Sequence, residues 1–196
     1  MSTGTRTPYT EALTTAEHVV DVLGAYCDRI EIAGSLRRKR PFVGDIEIVA
    51  LPTRQTDLLG EPIPGRTPLD AFLEASGVMF VKNGQRYKQF AYGRYKVDLF
   101  LPATADHWGS VFFIRTGSHD FNMWVMSTRA AQAGVTFRGG LLCRRYNDEL
   151  VPTPEEADVF AALGLPVVPP EDRDDGRWMR YVAWPPVSSW QPASST

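Results

Sequence analysis

The sequence predicts an α+β fold: a mixed sheet with flanking helices, followed by a smaller α/β subdomain. Three observations carry this. Leu13, Ala16, Val19, Val20, Leu23 and Cys27 recur at helical spacing. Residues 45–51, 78–82, 87–92 and 95–101 alternate as strands, with turns at Asn83-Gly84 and Gly93-Arg94. Beyond residue 104, two helical stretches and a third near 153–164 surround one hairpin at Gly139-Gly140. The chain divides accordingly into a lead-in with a packing helix (1–28), a sheet subdomain (29–104), a smaller subdomain (105–173) and a C-terminal tail (174–196).

In chain order, residues 1–8 are an unstructured lead-in, and a helix runs from Thr10 to about Cys27 with Thr14 and Glu17 as its capping box. Ile30–Ala33 is a short strand entering a Gly34-Ser35 turn. Arg37, Arg38, Lys39 and Arg40 follow, and Asp45–Leu51 is the first central strand. Residues 52–68 form a loop, and Thr67-Pro68 starts a short helix. After the strands, His107–Ile114 is a short helix. Ser118 caps a longer one to Ala133, stopped by Gly134. Thr153-Pro154-Glu155-Glu156 opens the last helix, which stops at Gly164; Leu165–Arg173 is an extended exit. From Asp174 onwards the chain is loosely held, with Trp178, Trp184 and Trp190 available to dock.

The ordinary balance of 43% hydrophobic and 22% charged residues is that of a globular protein. No apolar run approaches the ~18 residues that span a bilayer, and the N-terminus lacks a secretory h-region. Cys27 and Cys143 form neither a disulfide framework nor a zinc site. A monomeric, cytoplasmic protein without membrane association is expected. Net charge is −2, but residues 29–145 hold 17 Lys/Arg against 10 Asp/Glu, and residues 146–196 hold 3 against 9. A locally basic body of this kind suits a polyanionic partner as well as an ordinary solvated surface.

The chemistry concentrates in Gly34–Val49. Residues i and i+2 of a strand share a face, so Asp45 and Glu47 project together. Adjacent carboxylates repel unless a cation or proton lies between them, and hard divalent cations bind through carboxylates plus substrate phosphates. Asp98, flanked by apolar residues on another strand, needs a partner that a shared metal would supply. These residues point to a metal-dependent enzyme acting on a nucleoside triphosphate.

Four motifs in order, GSLRR with GDIEIVA, then KVDLF, TGSHDFN and LGLPVVPPEDR, resemble the catalytic core of the family X DNA polymerases, over residues 30–173. The resemblance implies a nucleotidyltransferase palm followed by a thumb. It makes Asp45, Glu47 and Asp98 the catalytic, metal-binding carboxylates for two Mg²⁺ ions, with Mn²⁺ as a substitute. Gly34, Ser35, Arg38 and Gly44 would serve the triphosphate, Gly117 and Ser118 the sugar, and His119 and Asn122 the base. Lys96 would lie near the primer terminus, and Arg37, Lys39 and Arg40 would contact DNA. Implied partners are primer-template DNA, gapped in a repair setting, and dNTPs.

This chain departs from the family pattern in four respects. Glu47 stands where the family uses Asp. Ile114-Arg115 replaces an aromatic pair beside the sugar, so relaxed discrimination against rNTPs is expected. Only 33 residues precede Gly34, the minimal palm-plus-thumb form, for which no lyase activity is expected. The tail after Arg173 has no counterpart. Competing readings are a template-independent nucleotidyltransferase and an inactive DNA-binding module.

Overall fold

The computed structural model describes residues 6–54, 59 and 65–182. A two-residue strand β1 (Thr7–Pro8) leads directly into helix α1 (Tyr9–Gly24). The helix therefore starts upstream of the expected capping box: Pro8 is its N-cap, and Thr14 instead donates its hydroxyl to the Thr10 carbonyl at 3.1 Å. Strand β2 (Cys27–Ile32) is followed by α2 (Gly34–Arg37), a single helical turn where a simple turn was expected. Gly34 enters it at φ 60°, a left-handed conformation that favours glycine. Then come β3 (Phe42–Val43), which pairs with β1, and β4 (Ile46–Pro52).

Helix α3 (Pro68–Ala75) is capped by Thr67, with Asp70 completing a capping box. Strands β5 (Phe80–Asn83), β6 (Tyr87–Tyr92) and β7 (Tyr95–Phe100) complete a five-stranded sheet of order β2-β4-β7-β6-β5. Only the β4–β7 pair within it is parallel.

Strand alternation gives this sheet two unlike faces. Ile46, Ile48 and Ala50 of β4, with Tyr95 and Val97 of β7, join Ala12, Ala16 and Val19 of α1 in one core. The helix thus packs on the sheet, as its apolar spacing implies. The opposite face carries Glu47, Val49 and Leu51 on β4 and Lys96, Asp98 and Phe100 on β7. There Val49 and Phe100 pack under Trp108 and Phe112.

Those two aromatics belong to α4 (Trp108–Thr116), which follows a 3₁₀ turn at Ala105–His107. Helix α5 (His119–Trp124) is capped by Ser118, whose hydroxyl accepts from the Phe121 amide at 3.2 Å. The single long helix expected from Ser118 is interrupted by a π-helical turn at Val125–Arg129 before α6 (Ala130–Gln132). Hairpin β8 (Val135–Arg138) and β9 (Leu141–Arg144) follows. Helix α7 (Glu156–Ala162) is capped by Glu155 with Asp158, not by Thr153. Thr153 is buried and exchanges a 2.7 Å hydrogen bond with Ser110 of α4.

Phe113, Phe121, Val125, Val159, Phe160 and Trp178 form the second core. The chain past Arg173 is thus packed, contrary to expectation, as far as a 3₁₀ turn at Arg177–Tyr181. Trp178 packs against Trp124 with ring centroids 4.4 Å apart and planes tilted by 32°; Trp184 and Trp190 lie outside the described residues.

Helix α4 also sits directly on the chain before α7. A methyl group at Gly109 would come within 2.1 Å of the Glu155 carbonyl oxygen, while the Gly109 amide donates to Thr153 at 2.7 Å. Since the obstacle is backbone, Gly109→Ala is expected to destabilise the protein by about 2–3 kcal/mol, measured as a lowered urea midpoint at unchanged m-value.

Candidate active site

The parallel pairing of β4 with β7 brings the distant acids together, placing Glu47 opposite Asp98. Asp45 precedes β4 on the same side. Lys96, two residues before Asp98, places its ammonium 2.9 Å from Asp45 Oδ2 and 2.9 Å from Asp98 Oδ2. Two of the three acids therefore already share one cation.

Asp98 is buried and well supported. Its Oδ1 accepts from the Tyr87 hydroxyl at 2.6 Å and from Gln89 Nε2 at 2.6 Å. Burial works to raise its pKa, but the bonds from Tyr87, Gln89 and Lys96 prevail and hold it below the ordinary aspartate value. Sequence reasoning missed Tyr87 and Gln89. The Tyr-x-Gln alternation on β6 is their only local signal; what matters is register, which sets Gln89 opposite Asp98.

Glu47 is the contrasting case. Its carboxyl is pushed up to about 7, first by burial and then by Asp45, with Arg115 and Arg38 opposing and Asp98 adding to the rise. It fits closely beneath α2, because a methyl group at Gly34 would lie 2.0 Å from Glu47 Oε2. Among the described residues no three metal-ligating side chains are already closed around one point. The donor set nevertheless fits a hard divalent cation. Three carboxylates lie together, an ammonium spans two of them, and the third is short of positive charge.

Two cavities flank this line of acids. One, of about 430 Å³, is lined by Ser35, Arg38, Gly44, Asp45, Ser118 and His119 among others, so five of the eight nucleotide candidates share it. The other, of about 460 Å³, is lined by Glu47, Asp98, Tyr87, Arg86, His107, Ile114 and Arg115, and reaches the hairpin tip at Gly139 and Gly140. Arg115 stacks over the Phe100 ring at 3.9 Å.

Asn122 and Gly117 do not line the first cavity, and Arg38 ties Gly117 to it. The Asn122 amide nitrogen donates to the Ile114 carbonyl at 2.8 Å, and Gly117 leaves room for that side chain: a methyl there would stand 2.4 Å from Asn122 Oδ1. Arg38 donates to the Thr116 and Gly117 carbonyls at 2.7 and 3.2 Å and to Asp174 at 2.9 Å.

In the free chain the basic run pairs with the C-terminal acids. Arg37 grips Glu156 through two bonds of 2.9 and 2.8 Å and lies over Phe112 at 3.8 Å. Lys39 pairs with Glu171 at 3.2 Å and Arg40 with Asp175 at 3.0 Å. The charge asymmetry of the sequence is thus partly self-complementary. Arg37 in particular ties α2 to α4 and α7 through Thr116, Phe112 and Glu156.

The match to known proteins agrees with this architecture. Residues 112–174 match the DNA polymerase beta thumb family. The fold resembles that of Leishmania infantum polymerase beta. In its ternary P/T complex that protein is 24% identical, with TM-score 0.63 over 87% of this chain and 77% of that one. In its ternary gap complex it is 23% identical, with TM-score 0.65 over 87% and 71%. No curated protein sequence matches the chain. The fold and thumb define a polymerase-beta-like palm and thumb.

Proposed function

We propose that the chain adds nucleotides to a primer 3′-hydroxyl under the direction of a DNA template. The observation that carries this is the placement of Asp45, Glu47 and Asp98 on the thumb-facing side of paired parallel strands, beside a cavity containing Ser35, Arg38 and Ser118. In this reading the 3′-oxygen forms a bond to the α-phosphorus, the bond to pyrophosphate breaks, and the hydroxyl proton passes to solvent water. The substrates supply both nucleophile and leaving group, so the protein's contribution is positioning and charge stabilisation.

Asp45, Glu47 and Asp98 would hold two Mg²⁺, or Mn²⁺, which would supply acidification of the hydroxyl and charge neutralisation for the departing phosphates. Ser35 and Arg38, with the backbone at Gly44, would hold the triphosphate, and Ser118 and His119 would flank the sugar and base. Tyr87 and Gln89 would keep Asp98 ionised and aimed. Lys96, which bridges Asp45 and Asp98, would lie near the primer terminus.

Gapped DNA is the proposed substrate, with gap filling in DNA repair as its setting. Ile114 and Arg115 set no aromatic wall beside Glu47, and Arg115 is held on Phe100. Ribonucleotides are therefore expected to be incorporated within about 100-fold of the kcat/KM for deoxyribonucleotides, a margin of about 2.7 kcal/mol. Paired dNTP and rNTP titrations on one gapped template test this, and strong rejection of rNTPs would defeat it. Running the same titrations on recessed and single-stranded primers separates templated synthesis from tailing: efficient extension without a template would favour the template-independent alternative.

A further inference from the structure

We propose that the acidic turn at Asp174-Asp175 is a built-in competitor for the anion-binding cavity, occupying its arginines until a polyphosphate displaces it. The proposal rests on the reading of that cavity as a triphosphate site and adds its regulation. Asp174 Oδ2 stands 2.9 Å from Arg38 Nε and 3.8 Å from Arg40 Nε. One anionic oxygen is thereby shared between two guanidinium groups, as an oxygen of a bound phosphate would be. Asp175 adds a 3.0 Å contact to Arg40 Nη1, and both acids line the cavity.

The turn that presents them is left-handed at successive residues, with φ 55° at Asp175 and 72° at Gly176. Aspartate and glycine both adopt that conformation more readily than other residues. Here Arg173 is fully buried on one side and Trp178 is 6% exposed on the other. The two acids can therefore swing aside by rearranging a short turn, while both of its anchors stay in place.

Charge decides what the swing accomplishes. With the turn in place, Arg6, Arg38 and Arg40 face four aspartates across the cavity, so the charge count is unfavourable to a polyanion. With Asp174 and Asp175 removed, three cations face two acids, and one of those, Asp45, is a metal candidate. Arg38 stays aimed throughout, because the Thr116 carbonyl accepts from it at 2.7 Å independently of Asp174. Apparent affinity for the polyphosphate is then reduced by the small fraction of molecules in which the turn has moved.

The test is calorimetric binding of inorganic tripolyphosphate and of dTTP to the full chain and to Asp174→Asn. The substitution should tighten both roughly three- to tenfold, while Asp174→Glu, which keeps the charge, should bind like the wild type. Equal affinities in the wild type and Asp174→Asn would overturn the competitor and leave the nucleotide site standing. Absence of binding by either ligand to either protein would overturn the nucleotide site and the competitor together. Hydrogen exchange needs no variant: the Arg177 amide donates to the Asp174 carbonyl at 3.1 Å. Tripolyphosphate should speed its exchange, and unchanged or slowed exchange would overturn displacement of the turn.

Discussion

Asp98→Asn is expected to lower kcat/KM for nucleotide addition by on the order of 10³-fold or more while leaving DNA affinity within about twofold. The substitution is nearly isosteric. Asparagine keeps the Oδ1 acceptor that Tyr87 and Gln89 both address at 2.6 Å. What it loses is the negative charge 2.9 Å from the Lys96 ammonium, at the position where a divalent cation would need a ligand. The fold should survive, since no apolar contact changes. Equal melting temperatures with lost turnover would separate a catalytic role from a structural one. Turnover near the wild-type rate would mean that Asp98 ligates nothing in the reaction.

The second large effect concerns stability. Glu156 lies between two guanidinium groups, accepting from Arg173 Nη1 at 2.7 Å and from Arg37 at 2.8 and 2.9 Å. Arg173 is fully buried, with aromatic rings of Phe113, Phe121 and Phe160 around its guanidinium. Glu156→Gln strands that charge, and breaking such a buried pair costs about 3–5 kcal/mol, a large share of a typical domain's ~5–15 kcal/mol. Lys39→Ala, which breaks an exposed pair with Glu171, should cost no more than ~1 kcal/mol.

The sign with pH follows from the same geometry. Burial alone would raise the Glu156 pKa, but its bonds to Arg173 and Arg37 prevail and lower it. A carboxylate with a depressed folded pKa contributes stability that is fully present above the ordinary Glu value of ~4.3 and is withdrawn as pH falls through the folded one. Wild-type stability should therefore fall with acidification below about pH 4. Glu156→Gln should show a shallower fall in that range. Parallel denaturation curves for the two proteins would contradict this.

The strands bearing the acids were legible because their alternation is local: Ile46 and Ile48 go to the core while Glu47 goes to the opposite face. Nothing local announces that β4 and β7 pair in parallel, so the site's supports on β6, Tyr87 and Gln89, went unseen. The basic run shows the same limit more sharply. Arg37 finds Glu156 and Arg40 finds Asp175 more than one hundred residues away, and a charge run carries no information about such distant partners. The one-turn helix α2 is too short to show periodicity. The π-helical turn at Val125–Arg129 keeps a helical pattern and so escapes notice. The docking of Trp178 was open as an option; the packing of the whole segment to Val182 was not foreseen, because proline and aspartate before it resemble a loop.

The most direct measurement of the central claim is incorporation of a single dTTP by the purified chain with Mg²⁺. It uses four primer-templates that differ only in the templating base. The account predicts a primer longer by one nucleotide, formed at least about tenfold faster opposite adenine than opposite the other three bases, a preference worth about 1.4 kcal/mol. Equal extension opposite all four bases, or no extension with Mg²⁺ or Mn²⁺ on any of them, would contradict it.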